Sequence, residues 1–113
     1  MKLKTLTAAL AIGFGAGAFA QNTGPVKIGI ITDMSSLYAD IDGPAGAEMV
    51  KWAAQDFGGK VLNRPIEVLT ADHQNKADVA SSKAREWMDK EGLAMLIGGT
   101  NSGTALAMSK VAI

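Results

Sequence analysis

Three short runs of strand-forming residues, each followed by a stretch with helical spacing, constrain this chain more than any other feature. Residues 26–32 (VKIGIIT) are rich in β-branched side chains, residues 65–71 (PIEVLTA) alternate behind a leading proline, and residues 93–97 are wholly apolar. Runs this apolar suit strands covered on both faces rather than a sheet with one wet side. Between them, Ala45, Met49, Trp52 and Ala53 repeat at helical spacing, with Val50, Ala54 and Phe57 widening the stripe. Ala77, Ala80, Ala84, Trp87 and Met88 do the same, and residues 102–112 can form a third helix. This spacing places both tryptophans on core-facing helix stripes. Gly58-Gly59 and Gly92 stop the first two helices, and residues 75–78 (NKAD) offer Asn75 as a side-chain cap for the second. The order β-α-β-α-β-α calls for a three-layer lobe: a parallel sheet with helices on both faces, joined by right-handed crossovers.

The N-terminal twenty residues stand outside that pattern. Met1-Lys2-Leu3-Lys4 is a basic start, residues 5–19 carry no charge, and Ala18-Phe19-Ala20 supplies a small–x–small site before Gln21. This is the layout of a signal peptide cleaved between Ala20 and Gln21, and its apolar run falls short of a membrane-spanning helix. The Gly13-Phe14-Gly15-Ala16-Gly17 string lies inside that run and follows no strand, so it is no dinucleotide loop. The expected division is therefore a signal peptide at 1–20 and a lobe segment at 21–113. Of 11 basic and 11 acidic residues, Lys2 and Lys4 leave with the signal, so the remainder is mildly acidic at −2. That balance gives no footprint for nucleic acid, and no other stretch is apolar enough for stable membrane insertion. Without cysteine, disulfides and zinc–cysteine sites are excluded.

In open parallel sheets, ligands gather beyond the carboxyl ends of the strands. Three loops fall there: residues 33–44, 72–75 and 98–102. The last runs into Gly98-Gly99-Thr100-Asn101-Ser102-Gly103-Thr104, with three hydroxyls and three glycines at a helix start. Free amides and hydroxyls at such a start can receive a carboxylate or phosphate; the plain alternative is a capped helix after a tight turn. Its Gly98…Gly103 spacing imitates a nucleotide-binding loop, but Thr104 stands where that loop needs lysine. Asp33 and Asp72 read as carboxylates bonding loop amides rather than as a metal or acid–base pair. His73, the single histidine, has no evident catalytic partner and reads as exposed or bonded within its loop, with a ligand-lining role as the alternative. Tyr38 is either half-buried or a pocket-mouth ring. No serine has a nucleophile-elbow context, so neither catalysis nor a cofactor is expected.

The stretch VKIGIITDMSSLYAD, followed by GGKVLNRPIEVLTADHQNK and the IGGTNS turn, resembles the start of the periplasmic solute-binding proteins of branched-chain amino-acid-type ABC transporters. The resemblance covers nearly the whole chain. It implies an α/β lobe of a type I periplasmic binding protein, here incomplete, since the family runs to roughly three times this length. It further implies a periplasmic, non-enzymatic receptor that hands a small molecule to the membrane permease of an ABC importer. Ser102 matches the serine that holds a ligand carboxylate from a helix N-terminus, and residues 35–39 match a loop bordering the cleft. The expected ligand contacts are therefore Ser102, Asn101, Thr104, Tyr38 and Ser36. Met34-Ser35-Ser36-Leu37-Tyr38 replaces the usual Thr-Gly-Pro-type turn, which opens the ligand class to aromatic or other carboxylates, or amides, besides amino acids. A sensing module of a receptor and an exported enzyme on a doubly wound sheet are the rival readings.

Overall fold

The computed structural model describes residues 23–113. The expected signal peptide and its cleavage site lie outside the described residues. The elements are β1 (Val26–Thr32), α1 (Ala39–Asp42), α2 (Pro44–Asp56), β2 (Lys60–Val61), β3 (Arg64–Asp72), α3 (Ala77–Glu91), β4 (Met95–Gly98) and α4 (Ser102–Ser109). The sheet order is β2-β3-β1-β4, with β1 parallel to both β3 and β4. The crossover through α2 carries the chain to one side of β1, and the crossover through α3 carries it to the other. The two connections run in opposite directions, so right-handedness puts α2 and α3 on opposite faces of the sheet.

The α3 face is the better packed. Ile31 of β1 meets Ala80, Ala84 and Trp87 of α3 and Met108 of α4, with Leu69, Leu93, Leu96 and Val111 around them. Gly29 lets this happen, because a Cβ there would fall 2.7 Å from the Trp87 ring. Lys27 lies on the same face and pairs with Glu91 at the end of α3. On the other face Ile30 and Ala47 are buried. Nearby, Val50, Ala53, Ala54 and Phe57 border a groove of about 430 Å³ against Val26, Ile28, Ile66 and Ile97.

Trp52 does not pack in the core: it is 58% exposed, as is Met49 at 62%. α2 is apolar on more than one side: Ala47 is buried and Val50 and Ala54, which widen the expected stripe, are half-buried toward the sheet, whereas its expected centre, Ala45, Met49, Trp52 and Ala53, is exposed. Asn75 does not cap α3. Lys76 occupies the N-cap position without a side-chain hydrogen bond, and Asn75 is turned toward α4 instead. The long first loop contains the short helix α1, and β2 forms a small antiparallel hairpin with β3 that periodicity did not reveal. Gly92 does end α3, in a left-handed conformation (φ 62). Among the described residues no helix is long and apolar enough to cross a membrane.

Candidate functional site

β1 lies between β3 and β4, so the order of connection reverses at its carboxyl end. That is the switch point at which a crevice opens in sheets of this kind. The loops leaving β1, β3 and β4 all meet there; Asp72 and Asp42 tie them to one another, and Asp33 braces the first from within.

Asp33 ends β1 and is 1% exposed. Its Oδ2 accepts hydrogen bonds from the Ser36 hydroxyl (2.6 Å) and the Tyr38 amide (2.9 Å), and its Oδ1 from the Ser36 amide (2.9 Å). Burial pushes this carboxyl up. The Ser36 hydroxyl and the amides of Tyr38, Ser36 and Ser35 outweigh that effect and hold it below its ordinary value. Asp72 ends β3 and spans two loops, accepting from the Met34 amide (2.9 Å), the Gln74 amide (2.7 Å) and the Ser35 hydroxyl (2.5 Å). Burial raises its pKa too, and these bonds again bring it below the ordinary value. Asp42, from α1, accepts from the Thr100 amide (2.8 Å) and lies 3.3 Å from the Thr100 hydroxyl. It joins the first loop to the third. Gly99 leaves room for this contact, since a Cβ there would strike the Thr32 hydroxyl and the Asp42 carboxylate. The Thr32 hydroxyl itself is buried without a hydrogen-bond partner.

The third loop enters α4 through Asn101. Its Oδ1 accepts from the amides of Gly103 (2.7 Å) and Thr104 (3.2 Å), a full side-chain N-cap. Thr104 is buried, and its hydroxyl donates to the Asn101 carbonyl (2.9 Å). Ser102 is exposed between them, and its hydroxyl makes no hydrogen bond among the described residues. Of the residues expected to contact ligand, Ser102, Asn101 and Thr104 thus share one helix start. Ser36 and Tyr38 lie on the first loop, where the Ser36 proton is engaged by Asp33 and Tyr38 is half-buried. His73 is not exposed: it is 1% accessible and bonded within the loop cluster. Sequence reasoning did not find Asp42, whose partner is 58 residues away and bears no fixed spacing to it. Among the described residues no group of three His, Cys, Asp or Glu side chains could hold a metal ion.

A largely parallel sheet with helices on both faces and its loops gathered at the switch point is an open α/β lobe, the architecture that type I periplasmic binding proteins share with other doubly wound folds. The chain belongs to the periplasmic binding protein family, whose sequence profile matches residues 25–112. A periplasmic binding protein from Burkholderia mallei is 69% identical with a TM-score of 0.76, over 78% of this chain and 24% of its own. A branched chain amino acid ABC transporter periplasmic ligand-binding protein from Burkholderia xenovorans is 46% identical, with a TM-score of 0.72 over 76% of this chain and 23% of its own. An ABC transporter solute binding protein from R. palustris in complex with benzoate is 30% identical, with a TM-score of 0.69 over 79% and 24%. The chain therefore spans about a quarter of the length of these solved relatives. No curated protein matches it in sequence.

Proposed function

We propose that this chain forms part of the extracytoplasmic receptor of an ABC importer. Its ligand is a small carboxylate such as an amino acid or an aromatic acid, or the corresponding amide. The observation that carries the reading is Ser102. At the switch point, Asn101 and Thr104 are committed to capping and bracing α4, whereas the Ser102 hydroxyl is exposed and uncommitted at the positive end of the helix. A carboxylate placed there gains a charge-assisted hydrogen bond and the smaller attraction of the helix dipole. Tyr38 and the 75%-exposed Leu37 offer apolar surface on the neighbouring loop for the body of the ligand. The benzoate bound by the R. palustris relative is consistent with a carboxylate on a flat ring.

The role is binding rather than catalysis. Asp33 and Asp72 are occupied by loop amides and hydroxyls, and both His73 ring nitrogens have partners, which leaves no free acid–base pair among them. Family membership and the signal-like start at residues 1–20 support release to a membrane permease and a periplasmic location. A thermal-shift screen of the whole protein against aromatic carboxylates, aliphatic amino acids and their amides tests the reading. A carboxylate or amide should raise the melting temperature in a concentration-dependent way. A protein stabilised by neither class contradicts it.

A further inference from the structure

The turn between β3 and α3 holds two consecutive non-glycine residues in the left-handed region, Gln74 (φ 51) and Asn75 (φ 56). L side chains seldom adopt that conformation, and here the surroundings over-determine it. Asp72 accepts from the Gln74 amide, His73 Nδ1 accepts from the Asn75 amide (3.0 Å), and the His73 carbonyl accepts from the Lys76 amide (2.8 Å). The turn delivers two side chains to α4. The Asn101 side-chain amide donates to the Asn75 side-chain carbonyl. His73 Nε2 lies 3.2 Å from the Thr104 hydroxyl, with both residues buried.

The protons are fixed by elimination. Because Nδ1 receives a backbone N–H, the neutral imidazole carries its proton on Nε2. The Thr104 hydroxyl gives its own proton to the Asn101 carbonyl, so it is free to accept from Nε2. Every partner in the chain Asn75 amide, His73, Thr104, Asn101 carbonyl is then satisfied, and it ends on Asn101, immediately before Ser102. We infer that His73 and Asn75 form a latch that sets the position of the α4 N-terminus, so that His73 is a positioning residue for ligand binding. The inference rests on the reading of Ser102 given above.

The test uses the whole protein. In the ligand-free wild type, imidazole nitrogen shifts should report the Nε2–H tautomer; an Nδ1–H tautomer overturns the latch. His73→Phe keeps bulk and makes neither bond, so Gly103 and Thr104 amide exchange should accelerate about 10-fold or more, at least as much as that of Ala84 in the core of α3, as expected for loss of two hydrogen bonds beside the start of α4. Unchanged exchange at Gly103 and Thr104 overturns the proposal. With benzoate and isoleucine as probes, His73→Phe should weaken whichever binds by about 10-fold, and His73→Gln, which keeps a side-chain N–H donor, should recover most of it. If Ser102→Ala weakens binding and His73→Phe does not, the latch is wrong and the site reading stands. If Ser102→Ala has no effect, or neither probe binds, the site reading falls for these ligands and the exchange result alone judges the latch. Should His73→Phe not fold, Thr104→Val removes the same link and is read in the same way.

Discussion

Gly29 has no room for a methyl group. A Cβ there would sit 2.7 and 2.9 Å from two Trp87 ring carbons and 3.0 Å from Leu93. Trp87 is 8% exposed and packed among Ile31, Ala84 and Met108, so the ring cannot yield without disturbing the core. Gly29→Ala should destabilise the protein by about 1–3 kcal/mol. Urea melts of the whole protein check this, and an unchanged midpoint would show that the ring moves freely. Composition and spacing made Gly29 legible as a place of close backbone approach and Trp87 as core. They misplaced Trp52 for a physical reason: α2 is apolar around much of its circumference, so its sequence does not say which side meets the sheet. Only the docking of Ala47, Val50 and Ala54 against β1 and β3 decides that.

Among the elements, the β2–β3 hairpin shows why some structure stays hidden in a sequence. Its turn residues, Leu62 (φ 49) and Asn63 (φ 60), are both left-handed, as a two-residue turn of this hand requires. The usual asparagine–glycine signal is replaced by leucine–asparagine. Leu62 is 87% exposed and loses little packing if replaced. Leu62→Asn should therefore stabilise the protein by about 1 kcal/mol, because asparagine tolerates this conformation. A lower melting temperature would mean that the leucine makes a contact worth more than the strain. The β1–α1 loop depends instead on two carboxylates. Asp33 and Asp72 are held below their ordinary value of 3.8, so the unfolded chain takes up protons first as pH falls. Their contribution is complete above 3.8 and is lost progressively below it, as pH drops through their folded values. The carboxyl carbon shifts of Asp33 and Asp72 should titrate below 3.8, with the Ser36 and Tyr38 amide signals moving in step. A midpoint above 3.8 would contradict the loop geometry.

At the scale of the molecule, the α/β class, the parallel sheet and the three loops at its carboxyl edge were legible, because short apolar strands separated by helical spacing admit few arrangements. The ties among those loops were not. Asp42 to Thr100, Asp72 to Ser35 and His73 to Thr104 join residues 58, 37 and 31 positions apart, and nothing in local pattern encodes such pairs. Export is a separate expectation: expressed in a Gram-negative host, the whole protein should be recovered from the periplasm with Gln21 as its first residue. N-terminal mass analysis that finds Met1 on a membrane-bound species would overturn it. If a small carboxylate or amide is held at the switch point by Ser102, calorimetry of the whole protein and its Ser102→Ala variant will show it. With the ligand found by thermal shift, the variant should bind about 1.5–3 kcal/mol more weakly, roughly 10- to 150-fold, for loss of a hydrogen bond to a charged group. Its melting temperature should hardly change, since Asn101 still caps α4. Equal dissociation constants for the two proteins would mean that Ser102 only starts a helix and that the ligand is held elsewhere.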